Sequence, residues 1–207
     1  MVRGALLGLV ALICTTHLRA QGAPCRQPHY RWAQKVDTSG ASPAPPARAP
    51  EQVSVTAILA TWTPPLLGPR DACAPRDDRE LRTFSVLGWV RRVDKVKDDG
   101  DWHIELTDQA DSPADSCIVA EIPDPRYSAR YALVRAALDS LLGSRRLGKG
   151  GILRRPVQAR IMGLAFFDGQ HRRGGRRSAR IDGGHGRCNG SVQALWEIHP
   201  VYRIGSP

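Results

Sequence analysis

Two short segments of the sequence alternate imidazole and carboxylate groups with large apolar residues. In "DWHIELTD" (101–108), Trp102, Ile104 and Leu106 alternate with His103, Glu105 and Thr107. In "LWEIHP" (195–200), a near-reversed version, Trp196 and Ile198 alternate with Glu197 and His199. Between them "CIVAEI" (117–122) sets Glu121 out of phase with Ile118, Ala120 and Ile122. A period of two is strand geometry, in which successive side chains point to opposite faces. With the apolar set turned to a core, His103, Glu105, Glu121, Glu197 and His199 look outward. Imidazole beside carboxylate is what proton transfer and divalent-cation ligation require. All five are therefore candidate catalytic residues, and His103, Glu105, Glu121 and His199 are a candidate set for a divalent metal ion. The same alternation belongs to any half-buried strand, where cross-strand pairs add about 0.2–1 kcal/mol. Both readings stand at this point.

A second chemistry is anion recognition. The 207 residues include 30 Lys+Arg against 20 Asp+Glu, a formal net charge of +10. The excess is local: residues 143–187 hold 12 basic residues and two acids, Asp168 and Asp182, leaving 18 of each sign elsewhere. Within it, "DGQHRRGGRRSARIDGGHGRCNGS" (168–191) offers Arg172, Arg173, Arg176, Arg177, Arg180 and Arg187 as candidate binding residues. Guanidinium forks suit phosphate or carboxylate, and glycines let a loop follow a flexible polymer. The implied partner is an anionic polymer, either nucleic acid or acidic polysaccharide. Few aromatics accompany the arginines, so base stacking and sequence-specific recognition are poorly served. The plainer alternative is a solvated loop that keeps the protein soluble. His171 and His185, in the same loop, could join a metal site but read more simply as solvated. Two familiar motifs are rejected. "GSRRLGKG" (143–150) has Gly150 where a phosphate loop needs Ser or Thr, and it follows a helix. No G-x-S-x-G elbow occurs.

These residues need elements to position them. "RTFSVLGWVRRV" (82–93) reads as a first strand with a bulge or bend at Gly88, and the Asp-Gly of "KVKDDGD" as a hairpin turn. Strands two and three follow at 102–107 and 117–122. Tyr131, Val134, Leu138, Leu141 and Leu142 then fall on one helical stripe, with Ser128 as its cap and Gly143 as its stop. Strand four is "VQARIMGLAFF" (157–167) and strand five "ALWEIHPVYRI" (194–204), with Trp196, Ile198, Tyr202 and Ile204 inward. Three strands, a helix and two strands predict a mainly β domain over 81–207, a five-stranded Greek-key barrel of the oligonucleotide/oligosaccharide-binding (OB) type. A mixed α+β sheet is the alternative. In the barrel, strand three lies between two and five, which gathers the polar residues onto one outer face.

The N-terminal part is organised differently. A basic start and the apolar run "ALLGLVALIC" (5–14) read as a signal peptide over 1–20, too short to span a bilayer, which needs about 20 apolar residues. The expected location is therefore exported, periplasmic or secreted, with no membrane span in the mature chain. Residues 21–52, with "SGASPAPPARAPEQ", read as a linker or tail outside the core. Residues 53–80 read as an extension packed on the barrel, and "VSVTAILATW" (53–62) suits a strand or a helix equally. Cleavage leaves Cys25, Cys73, Cys117 and Cys188, an even number that favours two disulfides. Parallel strands three and five would bring Cys117 near Cys188, leaving Cys25 for Cys73.

"DGDWHIELTD", "CIVAEIP", "GLAFFDGQH" and "LWEIHPVYRI" resemble segments of a group of uncharacterised exported bacterial proteins, a family that implies no activity. "DGD" after the first strand and the acid after "GLAFF" are also similar to OB folds of the staphylococcal nuclease type, from which no catalytic residue carries over. Three functions remain in play. The first is an exported OB-fold module binding an anionic polymer. The second is a metal-dependent hydrolase, phosphodiesterase- or nuclease-like, using the His/Glu face. The third is a non-catalytic envelope interaction protein.

Overall fold

The computed structural model describes residues 26–37, 49–95, 98–145 and 147–207. The expected signal peptide, Cys25 and the Pro/Ala-rich stretch at 38–48 lie outside the described residues. The elements are α1 (Trp32–Lys35), β1 (Glu51–Val53), α2 (Val55–Thr61), β2 (Thr83–Asp94), β3 (Trp102–Thr107), β4 (Ile118–Ile122), α3 (Ala129–Leu142), β5 (Ile152–Phe167) and β6 (Trp196–Gly205), with short 3-10 turns between them.

The β-rich segments close into a five-stranded barrel. Neighbours run β2-β3-β4-β6-β5, and β5 pairs back onto β2. Every pairing in the ring is antiparallel except β4 with β6, which run parallel. Short β1 adds a parallel edge beside β2. Closure leaves no open edge in the ring, and the strand alternation fills its interior: Phe84, Val86, Val90, Ile104, Leu106, Ile118, Ala120, Ile161 and Ile198 are all fully buried. α3 begins at Ser128, whose side chain accepts from Arg130 N, and ends at Gly143 with φ of 56°. Its Tyr131, Val134, Leu138 and Leu142 are buried against the barrel. The ambiguous stretch after residue 52 divides: β1 ends at Val53, Ser54 caps α2, and the Asp108 carboxylate accepts from Val55 N and Thr56 N at 2.8 and 2.6 Å.

Three expectations need correction. The irregularity in β2 lies between Val90 and Arg92, not at Gly88. Gly88 instead admits a close strand crossing, since a Cβ there would stand 3.0 Å from Thr107 O. The extra residue re-aims Arg92, which reaches Glu105 at 2.9 Å. In β6, Val201 takes the fully buried place expected for Tyr202, because the pairing with β5 shifts on both sides of Gly163. Lastly, residues 26–37 are not a tail. Tyr30, Trp32 and Val36 are buried, and Arg31 is fully buried with paired bonds to Glu80 at 2.7 and 2.6 Å. The aromatic content of "HYRWAQKV" was the signal for this, and the proline-rich composition beyond it masked it.

Cys117 and Cys188, 71 residues apart, form the expected disulfide between the start of β4 and the loop before β6. Cys73 is also disulfide-bonded. Among the described residues no helix is long and apolar enough to cross a membrane.

Candidate active site

The alternation in β3, β4 and β6 places side chains as expected: Ile104, Leu106, Ile118, Ala120, Ile122, Trp196 and Ile198 join the core, and Trp102 packs partly buried against it. His103, Glu105, Glu121, Glu197 and His199 take the opposite parity. They do not meet solvent, however; all five are buried. The segment holding α1 and the loop between β5 and β6 roof the face. What remains open is a polar cleft of about 190 Å³, with His103, Glu121 and Glu197 on the barrel side, Lys35 from α1, and Asp168, His171 and His185 from the loop.

Beneath this cleft the groups bond to one another in a chain. His103 Nδ1 lies 2.9 Å from Glu121 Oε1, and Glu121 Oε2 lies 3.2 Å from His199 Nδ1. His199 Nδ1 is equally 3.2 Å from Glu197 Oε2, and the other Glu197 oxygen meets His185 Nε2 at 2.9 Å. His185 Nδ1 faces the Cys188 carbonyl at 3.0 Å. An imidazole with an acceptor at both nitrogens satisfies both only when doubly protonated. Burial opposes the charge on His185, but Glu197, Asp168 and the Cys188 carbonyl outweigh it and raise its pKa. Burial likewise opposes the charge on His199, yet Asp101, Glu197 and Glu121 lift its pKa to about 9.

The acids respond in kind. Burial and the nearby Glu197 charge push Glu121 up, but the His103 bond, Lys35 and His199 prevail and set it at about 2. Glu197, despite its burial, is held far below the usual carboxylate range by His185, His199 and Lys35. Burial raises Asp168, and Lys35, 3.2 Å away, with His171 and His185 brings it below its ordinary value. Lys35 in turn stays charged: burial works against it, and Asp168, Glu197 and Glu121 overcome that.

Glu105 departs from the expected ligand set. Its Oε1 accepts from Arg92 at 2.9 Å and from Arg187 N at 3.1 Å, and its Oε2 accepts from Arg187 Nε at 2.6 Å. With both oxygens committed it is a structural acid, lowered by those arginines against the effect of burial. His103, bonded to Glu121, also stands outside the group of close donors, and Asp101 joins Glu121 and His199 in it. One donor atom each from Asp101, Glu121 and His199 lies within 4.8 Å of the others, and all three residues are buried. Asp101 Oδ2 and His199 Nε2 face each other as an ion pair at 3.4 Å, and neither has a further hydrogen-bond partner. Two ligands on one ion with bonds of about 2.0–2.2 Å are separated by roughly that distance. The mixed oxygen and nitrogen donors fit one divalent cation. Extending the alternation back two residues from His103 reaches Asp101, so the residue was legible in the sequence. The group Glu105, Cys117 and Cys188 is also close together, but its sulfurs are spent in the disulfide.

The loop arginines divide. Arg172 is buried and donates to Pro65 O and Leu67 O at 2.8 and 3.0 Å, which corrects its reading as a binding residue. Arg176 pairs with Asp71 and Arg187 with Glu105. Of these six, Arg173, Arg177 and Arg180 are the ones that are exposed without such an ion pair. The reading of His171 and His185 as solvated also fails: His185 is buried in the network, and His171 is half-buried with Nδ1 2.8 Å from Asp182 Oδ1. A carboxylate or a loop carbonyl waiting for each ring could not be seen from composition. Compared with known proteins, the chain matches no protein-family model, no curated protein and no solved structure.

Proposed function

We propose that the protein is an exported metal-dependent hydrolase that cleaves phosphodiester bonds of an anionic polymer. The observation that carries this is the grouping of Asp101, Glu121 and His199 beneath a cleft lined by His103, Glu121 and Glu197, with buried donor atoms of Asp101, His103 and His199 left without hydrogen bonds. The strand order, with β4 and β6 parallel, supports the OB-type reading of the barrel. The roof argues against a simple binding platform, because the sheet face on which such barrels hold polymers is covered.

Electrostatics favours a metal ion. An anionic ester entering a cleft lined by Glu121, Asp168 and Glu197 meets like charge in surroundings of low polarity. Lys35 and the charged His185 offset only part of it, since Asp98 and Asp99 line the cleft as well. A divalent cation held by Asp101, Glu121 and His199 would take the place of the proton on His199 Nε2, neutralise the remainder, and supply Lewis acidity toward a phosphoryl oxygen or a bound water. Exposed Arg173, Arg177 and Arg180 lie on the loop whose two ends line the cleft, so an anionic chain attracted there passes the opening.

The test is hydrolysis of bis(4-nitrophenyl) phosphate and of single-stranded DNA with Mn²⁺, Mg²⁺ or Zn²⁺. EDTA should abolish the activity and the added ion restore it, and Glu121→Gln should lose about 10²-fold or more in rate. A folded protein that cleaves neither substrate with any of these ions overturns the reading. Retention on DNA or heparin in that case would point to the binding module instead.

A further inference from the structure

Within the hydrolase reading, and resting on it, the geometry points to His171 as the general base, with Asp182 as the residue that positions it. Three independent observations converge on this pair. First, His171 Nδ1 lies 2.8 Å from Asp182 Oδ1, which fixes the ring plane and places the proton on Nδ1. The lone pair of the neutral ring then belongs to Nε2. Second, Nε2 is not consumed. Its nearest acid, Asp168 Oδ2, is 3.8 Å away, too far for a hydrogen bond, and the ring lines the cleft. Of the four histidines lining the cleft, His103 and His185 are buried, His29 is exposed, and His171 keeps about a fifth of its side chain open. It combines an orienting carboxylate with access to solvent.

Third, the loop is shaped around this ring. Gly184 donates its N–H to the same Asp182 oxygen at 2.8 Å, and a Cβ at Gly184 would stand 2.6 Å from His171 Cε1. Any larger residue displaces the imidazole. The carboxylate itself stays ionised: burial raises it, but the Gly184 N–H, His171 and Arg173 bring it below its ordinary value. A backbone bond from Asp182 N to His171 O at 2.9 Å locks the two strands of the loop in register. This is the arrangement in which a carboxylate selects the tautomer of a base and supports the imidazolium that forms.

The chemistry balances as follows. Nε2 takes a proton from water as the water oxygen bonds to phosphorus. The bond from phosphorus to the ester oxygen breaks, and its electron pair leaves with that oxygen. The departing alkoxide takes a proton from solvent, and the imidazolium returns its own. One water is consumed, giving a phosphate monoester and an alcohol. The charged groups facing the ring are Asp182 and Asp168 beside it, His185 with ring centroids 5.5 Å away, and Lys35 across Asp168. The ring touches none of the three residues assigned to the metal.

The experiment uses the full chain with Mn²⁺ and bis(4-nitrophenyl) phosphate. His171→Ala should lower kcat by about 10²–10³-fold with KM and the Mn²⁺ activation constant little changed. The ascending limb of the wild-type pH–rate profile should vanish in this variant, and imidazole in the buffer should restore part of the rate. Asp182→Asn should lower kcat by about tenfold or more, again without a change in KM. If His171→Ala does not fold, His171→Gln provides the same comparison with the ring's volume largely kept. A variant with kcat within twofold of wild type and the pH limb intact overturns the assignment and leaves the hydrolase standing. A loss of stability without loss of rate makes the pair a loop staple only, which also overturns it. A folded wild-type protein that is inactive overturns both readings.

Discussion

Glu105 and Asp101 show how two residues on one strand face acquire different work. Each lies two positions from His103 and shares its parity, yet Glu105 is saturated by Arg92 and Arg187 whereas Asp101 keeps an oxygen with no partner beyond His199. Opposite outcomes follow from neutralising them. Glu105→Gln leaves two arginines facing a buried amide and should cost about 3 kcal/mol of stability by denaturant titration, with metal affinity unchanged. Asp101→Asn should lower Mn²⁺ affinity by about tenfold or more, measured by calorimetry. His185 gives a pH signature. Its folded pKa lies above its ordinary value, so its pairing with Glu197 contributes stability in full below about pH 6.5 and loses it as pH rises through the folded value. A melting temperature that declines on the alkaline side in wild type, and less in His185→Gln, is the expected result. At this scale the sequence exposed the acids and imidazoles through their period of two. It did not expose their partners, because Arg92, Arg187, His185 and Lys35 arrive from other segments.

The strands were legible because a half-buried strand writes its two faces into every second residue, and α3 because its buried stripe repeats at helical spacing. The roof was not. A polar face reads the same whether water or another segment covers it, and nothing in β3 or β4 announces residues 26–37. That segment is held by Arg31, whose guanidinium is fully buried and also bonds Ala74 O and Pro75 O at 2.9 and 2.8 Å. Arg31→Ala therefore leaves Glu80 as an uncompensated buried charge and should destabilise by about 3–5 kcal/mol in chemical unfolding. The second half of the roof is tied by the Cys117–Cys188 bridge. Closing a loop of this length contributes about 4 kcal/mol in the chain-entropy account. The Cys117→Ser/Cys188→Ser double variant should lose up to that amount and lose hydrolysis more steeply than stability, since His185 bonds the Cys188 carbonyl.

Across the whole molecule the excess positive charge and the acidic cleft lie side by side on one loop, Arg173 to Arg180 outside and Asp168, His171 and His185 within. Charge counting found the first part of this pattern and could not find the second, because the acids of the cleft are dispersed through the chain. Polymer capture and chemistry should thus separate by salt. If the loop's Arg173, Arg177 and Arg180 make the phosphate contacts, the logarithm of DNA affinity should fall against the logarithm of salt with a slope of about −2 to −3, and the triple Ala variant at 173, 177 and 180 should flatten it. Turnover of the small diester should barely respond to either change.

The cleft draws on residues from His29 to Glu197, and the loop that forms its last wall is fastened by a bond between two sulfurs. No single segment of the sequence supplies it whole. A fragment lacking residues 29–35 or residues 184–197 therefore lacks one wall of the cleft, and reducing the Cys117–Cys188 bond removes the covalent tie on the loop that carries His185.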